Sequence, residues 1–258
     1  MLPTLLDQLF VLLQRLLPER LLGRAVWLLT RSQVPWLRNL LIRTFVRVYD
    51  INLAEVEHPE PQHWAHMNAF FTRPLRAGAR PIAPGNGTVV SPSDGVLEQI
   101  GYAQAEQLVQ AKLFRYRIAD FLALDPEAAA PFHDGATATV YLAPRDYHRV
   151  HMPLGGRVTD MTYVPGRRWA VNRRTVRTVP GLFAANERVI LWCENTAGRY
   201  AVVLVGALNV ASISLAWCGD IPPAGQVVRT RYGAADPARM IPTGGLLGQF
   251  NLGSTVVI

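Results

Sequence analysis

Leucine recurs at helical spacing from the first residues onward. Leu2, Leu5, Leu6, Leu9, Leu12, Leu13 and Leu16 form one broad apolar stripe, and Asp7, Gln8, Gln14 and Arg15 occupy the other side. Pro18 and Gly23 punctuate the chain, and a second helical stretch follows Pro35. It carries Leu37, Leu40, Leu41, Phe45 and Val48 on one face and Arg38, Arg43 and Arg47 elsewhere, with Trp27 and Trp36 near the junctions. After residue 50 the texture changes. Segments 88–90, 95–100, 137–142, 157–163, 189–193, 201–205, 210–215 and 226–229 are short, rich in Val, Ile, Thr or Tyr, and bounded by turn formers, which predicts strands. Helices are expected to end near 68–74 and to fall near 117–124 and 125–130. The pattern predicts an α+β chain: an amphipathic helical segment over 1–60, then a β-rich domain of short antiparallel strands over 61–258.

Half the residues are hydrophobic and 17% are charged, the balance of an ordinary globular protein. The net charge of +7 is carried almost wholly by arginine, Lys112 being the only lysine. On charge alone the partner is a nucleic acid, an anionic membrane or an acidic substrate. The first fifty residues hold seven arginines against three acids. Apolar helix faces flanked by Arg and Trp suit a helix lying in the plane of an anionic membrane, the alternative being a helical hairpin packed on the main domain. No run of eighteen uncharged apolar residues is present, so no spanning helix is expected, and the start of the chain lacks a signal-peptide pattern. Cys193 and Cys218 lack zinc or redox spacing and read as buried free thiols in a reducing compartment.

Three places carry chemistry. Ser91-Pro92-Ser93-Asp94-Gly95 is a turn signal that also presents a carboxylate. The run from Leu142 to Pro153 puts His148, His151, Asp146, Arg145 and Arg149 within seven residues, after a strand and between two prolines. Histidine is the usual proton shuttle near neutral pH. The i,i+3 spacing of His148 and His151 could offer two metal ligands, but no third is apparent nearby, so no metal is expected. The third place is Asn251-Leu252-Gly253-Ser254-Thr255. Glycine tolerates strained backbone angles and leaves its carbonyl open to the next residue's hydroxyl, while serine attacks only when a base takes its proton.

Together these runs resemble the bacterial phosphatidylserine decarboxylase family. YLAPRDYHRVHMP is similar to its signature and NLGST to its self-cleavage site. MNAFFTRPLR, SDGVL, YVPG followed by VN, LFAANERV and LVGALNVASI match in the expected order over about 35–256. The resemblance implies that Asp94, His151 and Ser254 form a charge-relay set that cuts the chain between Gly253 and Ser254. Ser254 then becomes a covalent pyruvoyl cofactor on a small α chain that stays with the large β chain. It further implies that this group forms a Schiff base with phosphatidylserine and releases phosphatidylethanolamine, with His148 as the acid in that step. The expected setting is the cytoplasmic face of the cell membrane, peripheral and on anionic lipid, as a homodimer without nucleic acid or metal.

Two departures stand out. The family's Lys-Gly pair and acidic residue before the cleavage site are replaced by Pro242-Thr243-Gly244-Gly245-Leu246-Leu247-Gly248. Family members also continue further past the serine, so a truncated chain is expected, with little to anchor the residues after Gly253. The rival readings are a pyruvoyl enzyme acting on a soluble amino acid, a membrane-binding homologue that never cuts itself, and a serine hydrolase. The last lacks a GxSxG elbow.

Overall fold

The computed structural model describes residues 4–85, 87–111, 114–208, 212–233, 236 and 239–258. Leu2 of the leucine stripe and the start of the predicted strand 210–215 lie outside them. The N-terminal segment holds three helices, α1 (Leu5–Leu16), α2 (Glu19–Thr30) and α3 (Pro35–Tyr49), where the pattern predicts two. Gly23 is absorbed inside α2 and does not end a helix. Thr4 and Asp7 close a reciprocal capping box at the start of α1, and Pro35 sits in the first turn of α3, where its missing N–H costs nothing.

The way α1 docks inverts the usual rule. Its buried residues are Asp7, Val11 and Gln14, whereas Leu5, Leu6, Leu9, Leu12, Leu13 and Leu16 are 51–84% exposed. Asp7 lies 3.8–3.9 Å from the guanidiniums of Arg174 and Arg177, and the Gln14 amide oxygen accepts from the Ala170 N–H at 3.0 Å. The helix packs by its polar face and turns the leucine stripe outward.

The remaining elements, in chain order, begin with α4 (Met67–Phe71), β1 (Val96–Tyr102), β2 (Gln107–Ala111), β3 (Phe114–Arg117), α5 (Ile118–Leu122) and α6 (Pro126–Ala129). Next come β4 (Ala136–Leu142), β5 (Arg149–His151), β6 (Gly156–Val164), α7 (Arg173–Thr178), α8 (Leu182–Ala185), β7 (Arg188–Asn195) and β8 (Gly198–Val205). The chain closes with β9 (Ser212–Leu215), β10 (Gly219–Asp220), β11 (Val228–Arg231), β12 (Met240–Ile241), β13 (Leu246–Asn251) and β14 (Ser254–Val257).

The large sheet runs β1-β4-β14-β8-β7-β6-β11, with β12 also on β6. A second sheet runs β10-β9-β13-β5, and β2 and β3 form a hairpin; all these pairings are antiparallel. The large sheet is apolar on both faces. Along β7, Ile190 and Trp192 join Phe121, Leu182 and Phe183 on one side. Val189, Leu191 and Cys193 meet Ile213, Leu215, Leu247 and Phe250 of the second sheet on the other. A third cluster joins α3 and α4 through Ile42, Phe45, Met67, Phe70 and Phe71, and Leu252 packs against it.

Three expectations are corrected. Segment 88–90 is not a strand, although the Val90 N–H donates to the Pro153 carbonyl at 2.8 Å. Cys193 is buried but Cys218 is exposed, because it sits in the tight turn between β9 and β10. The residues after Gly253 are also held more firmly than expected: β14 lies inside the large sheet, with β4 on one edge and β8 on the other.

Candidate active site

The two sheets exchange strands at one place. β4 of the large sheet ends at Leu142 and passes through residues 143–148 into β5 of the small one. β13 of the small sheet ends at Asn251 and passes through Leu252 and Gly253 into β14 of the large one. The two crossings run side by side, because Ser254 pairs with Leu142 and the Phe250 N–H donates to the His148 carbonyl at 3.0 Å. The topology therefore sets the Gly253–Ser254 bond against the histidine-bearing loop.

The second crossing is bent. Leu252 has φ +87° and Gly253 has φ +74°. For glycine this is free, and a Cβ there would meet open space. For leucine it is strained and persists only where neighbours hold it. Those neighbours are the α3–α4 cluster and Asn251, which is 1% exposed. The Asn251 amide donates to Ser212 Oγ at 2.8 Å and Ser214 Oγ at 2.6 Å, and its oxygen accepts from Asn68 Nδ2 at 3.0 Å.

His151 makes a defined pair of hydrogen bonds. Its Nδ1 lies 2.8 Å from the Gly244 carbonyl, which can only accept, so Nδ1 carries the proton. Nε2 is then the lone pair and accepts from the Tyr147 hydroxyl at 3.0 Å. Burial lowers the pKa of His151 from its ordinary value, against the Gly244 hydrogen bond that raises it. The ring is thus a neutral base, already in the tautomer that a serine hydroxyl requires.

Asp94 reaches this site through the segment before it. The His151 N–H donates to the Pro92 carbonyl at 2.7 Å. Gly95 has φ +140°, and a Cβ there would lie 2.3 Å from the Tyr141 carbonyl, so only glycine lets the turn pass against β4. The Asp94 carboxylate is gripped by Arg80, with Nε at 2.8 Å and Nη2 at 2.6 Å, and Arg80 also holds Glu55 at 2.8 Å. No Asp94–His151 hydrogen bond occurs among the described residues. Asp94 acts on His151 through its charge, which favours the imidazolium. The Ser254 side chain lies outside what the structure describes.

His148 is fully buried, stacks on Phe71 with ring centres 4.1 Å apart, and donates Nε2–H to the Ala143 carbonyl at 3.1 Å. Its Nδ1 has no hydrogen-bond partner among the described residues. Burial, aided by the positive Arg73, pushes its pKa down to about 3, so it is neutral in the uncut chain. No group of three or more His, Cys, Asp or Glu able to hold a metal occurs among the described residues.

A family model described as phosphatidylserine decarboxylase matches residues 67–258, and one described as PSD matches 9–50. The chain belongs to the phosphatidylserine decarboxylase family. It is 46% identical over 254 residues to the phosphatidylserine decarboxylase proenzyme of Azotobacter vinelandii, covering 98% of this chain and 89% of that one. The proenzyme of Pseudomonas aeruginosa PAO1 is 45% identical with 98% and 88% covered, and that of Nitrosococcus oceani 44% with 98% and 83%. The family is known as pyruvoyl-dependent and converts phosphatidylserine to phosphatidylethanolamine; this chain is a phosphatidylserine decarboxylase.

Tyr147, Gly244, Arg80 and Asn251, which the structure brings to this site, are not singled out by the sequence alone. Tyr147 lies inside YLAPRDYHRVHMP. Gly244 lies in the altered stretch, where its contribution is a backbone carbonyl that no side-chain comparison can detect. The same stretch is laced to the histidine loop by Met152 N–H to Gly245 and Gly244 N–H to Met152, at 2.7 and 2.8 Å. The departure in side chains therefore leaves the support of His151 in place.

Proposed function

We propose that this phosphatidylserine decarboxylase cuts itself between Gly253 and Ser254, that Ser254 becomes its pyruvoyl group, and that it works as a peripheral enzyme on the cytoplasmic face of an anionic membrane. The observation that carries the cleavage site is the bent Leu252–Gly253 link, held against a loop whose His151 is a neutral base in the required tautomer. His151 Nε2 takes the Ser254 proton once the Tyr147 hydroxyl yields its place. Gly244 keeps Nδ1 protonated, and the nearby Asp94 favours the imidazolium that forms.

The surroundings fit a group made at this position. Gly253 opens into an apolar cleft of about 640 Å³, lined by Val26, Leu40, Phe45, Val48, Phe71 and Leu252 among others. When present, the pyruvoyl group supplies an electron-withdrawing carbonyl that holds the substrate amine and accepts the electron pair left by carbon dioxide. For His148 we keep the role of proton donor to the product carbon. Being neutral and buried here, it needs the cut to open its surroundings before it can carry that proton.

The cleft leads from the helical segment to Gly253, a path suited to an acyl chain, and a soluble amino acid would leave it empty. The outward leucine stripe of α1 and the arginines of the first fifty residues match an anionic lipid surface. No helix among the described residues is long and apolar enough to cross a membrane. The test is intact mass under denaturing conditions. The wild type should split after Gly253, with the pyruvoyl mass on the downstream piece, and Ser254→Ala should stay whole. A wild type that stays whole on lipid vesicles, or that splits elsewhere, overturns the assignment.

A further inference from the structure

Among the described residues, Arg73 is a buried cation without an anion. It is 3% exposed, its Nε has no partner, and its one hydrogen bond is a long 3.5 Å contact from Nη1 to the Phe71 carbonyl. The guanidinium lies 5.1 Å over the Phe70 ring, and no carboxylate stands within ion-pair distance of it among the described residues. The two acids whose charge reaches it, Asp94 and Glu55, are both already engaged by Arg80. Burial lowers its pKa only to about 10, so it stays charged at neutral pH. A desolvated, unpaired arginine is costly, and an anion that reaches it relieves that cost.

Its position says which anion. Phe71, whose carbonyl Arg73 approaches, carries the His148 ring on its face and lines the cleft that opens at Gly253. We propose that Arg73, whose guanidinium approaches the carbonyl of Phe71 in the wall of that cleft, is the binding residue for the phosphodiester anion of the lipid head group. This rests on the decarboxylase reading above. Phosphatidylserine brings two anions, a phosphodiester and a carboxylate. A cation paired with the carboxylate would stabilise the very charge that has to leave as carbon dioxide, and so would slow the reaction. The phosphodiester keeps its charge from substrate through to product, and an arginine fork matches its geometry with two parallel N–H bonds.

The experiment uses the full chain and its Arg73→Lys and Arg73→Gln variants, with phosphatidylserine in non-ionic detergent micelles so that no carrier lipid supplies a competing phosphodiester. Self-cleavage is followed by intact mass, decarboxylation by released carbon dioxide, and phosphatidylethanolamine serves as the product inhibitor. Both variants should still cleave. Their KM should rise about tenfold or more, with the inhibition constant of phosphatidylethanolamine rising by the same factor, and in Arg73→Lys, which keeps the charge that acts on His148, kcat should change less than threefold. A raised KM with unchanged product inhibition places the arginine on the carboxylate and overturns the proposal. So does a loss confined to kcat, an unchanged KM, or the loss of folding or of cleavage in both variants. A wild type that cleaves but leaves phosphatidylserine untouched would instead sink the decarboxylase reading itself.

Discussion

Replacing Asn251 by alanine should slow self-cleavage through a residue that never touches the reacting atoms. The Asn251 side chain closes a buried set of hydrogen bonds with Asn68, Ser212 and Ser214, two residues before the Gly253–Ser254 bond. Its removal leaves the buried Asn68 amide without its acceptor, which costs about 1–3 kcal/mol, and deletes two further hydrogen bonds worth about 1 kcal/mol each. The total, about 3–5 kcal/mol, matches or exceeds the ~1–3 kcal/mol needed to hold Leu252 at positive φ. Without the clamp the link should relax toward ordinary angles and carry the Gly253 carbonyl away from the attacking hydroxyl. Misplacement on the order of 1 Å can cost about 10²-fold in rate. A time course of intact mass should therefore show cleavage slowed at least tenfold in Asn251→Ala. In Ser214→Ala, which removes a single acceptor, the loss should be smaller. If Asn251→Ala melts lower yet cleaves within twofold of wild type, the held strain plays no part in processing.

The pH profile of self-cleavage should be flat around neutrality and fall only below the ordinary histidine value, because the proposed base, His151, acts in its neutral form and burial lowers its pKa. A rate that drops on the alkaline side between pH 6 and 8 would contradict this, and so would a His151→Gln chain that cuts normally. Stability is itself acid-sensitive through His148. Its native pKa is about 3, so the unfolded chain binds a proton below about pH 6.5 that the folded chain refuses, and stability falls as pH drops through that window. Denaturant midpoints at pH 7 and pH 5 should differ less in His148→Gln than in wild type. Substituting Leu9 and Leu13 by serine removes half-exposed apolar surface from the outward face of α1. Sedimentation with anionic vesicles should fall about tenfold or more while the melting temperature holds, since ~25 cal/mol per Å² of buried apolar area is lost from the lipid contact alone. Gly95→Ala should lower stability by more than about 2 kcal/mol in a denaturant melt, given the 2.3 Å approach to the Tyr141 carbonyl.

The strands that alternate or run apolar between turn formers, such as β4, β6, β7 and β8, were legible because burial on one or both faces writes itself into residue type. β13 and β14 were not. Gly248, Asn251 and Ser254 dilute their strand character, and what holds them is pairing with β5, β9, β4 and β8, far away in the chain. Pro18 and Gly23 suggested a break where the chain forms α2, since one glycine costs a helix only about 1 kcal/mol. For the site, the histidines and the Gly-Ser pair could be picked out by residue type and motif. The orienting hydrogen bond to His151 could not, because it comes from the backbone of Gly244, and a carbonyl is carried by every residue alike. The grip of Arg80 on Asp94 and Glu55 depends on three segments meeting, which no local pattern encodes.

The inward polar face of α1 has a consequence for direction. Asp7 and Gln14 pin the helix at two points along its length, against Arg174 and Arg177 at one and Ala170 at the other. A rod fixed at two points has no freedom to roll, so the leucine edge is a fixed plane in the frame of the sheets. Whatever surface lies against that plane meets the cleft at Gly253 at one angle only. On the proposed membrane contact the helix would act less as an anchor than as a level, deciding how the molecule is tilted when it lands.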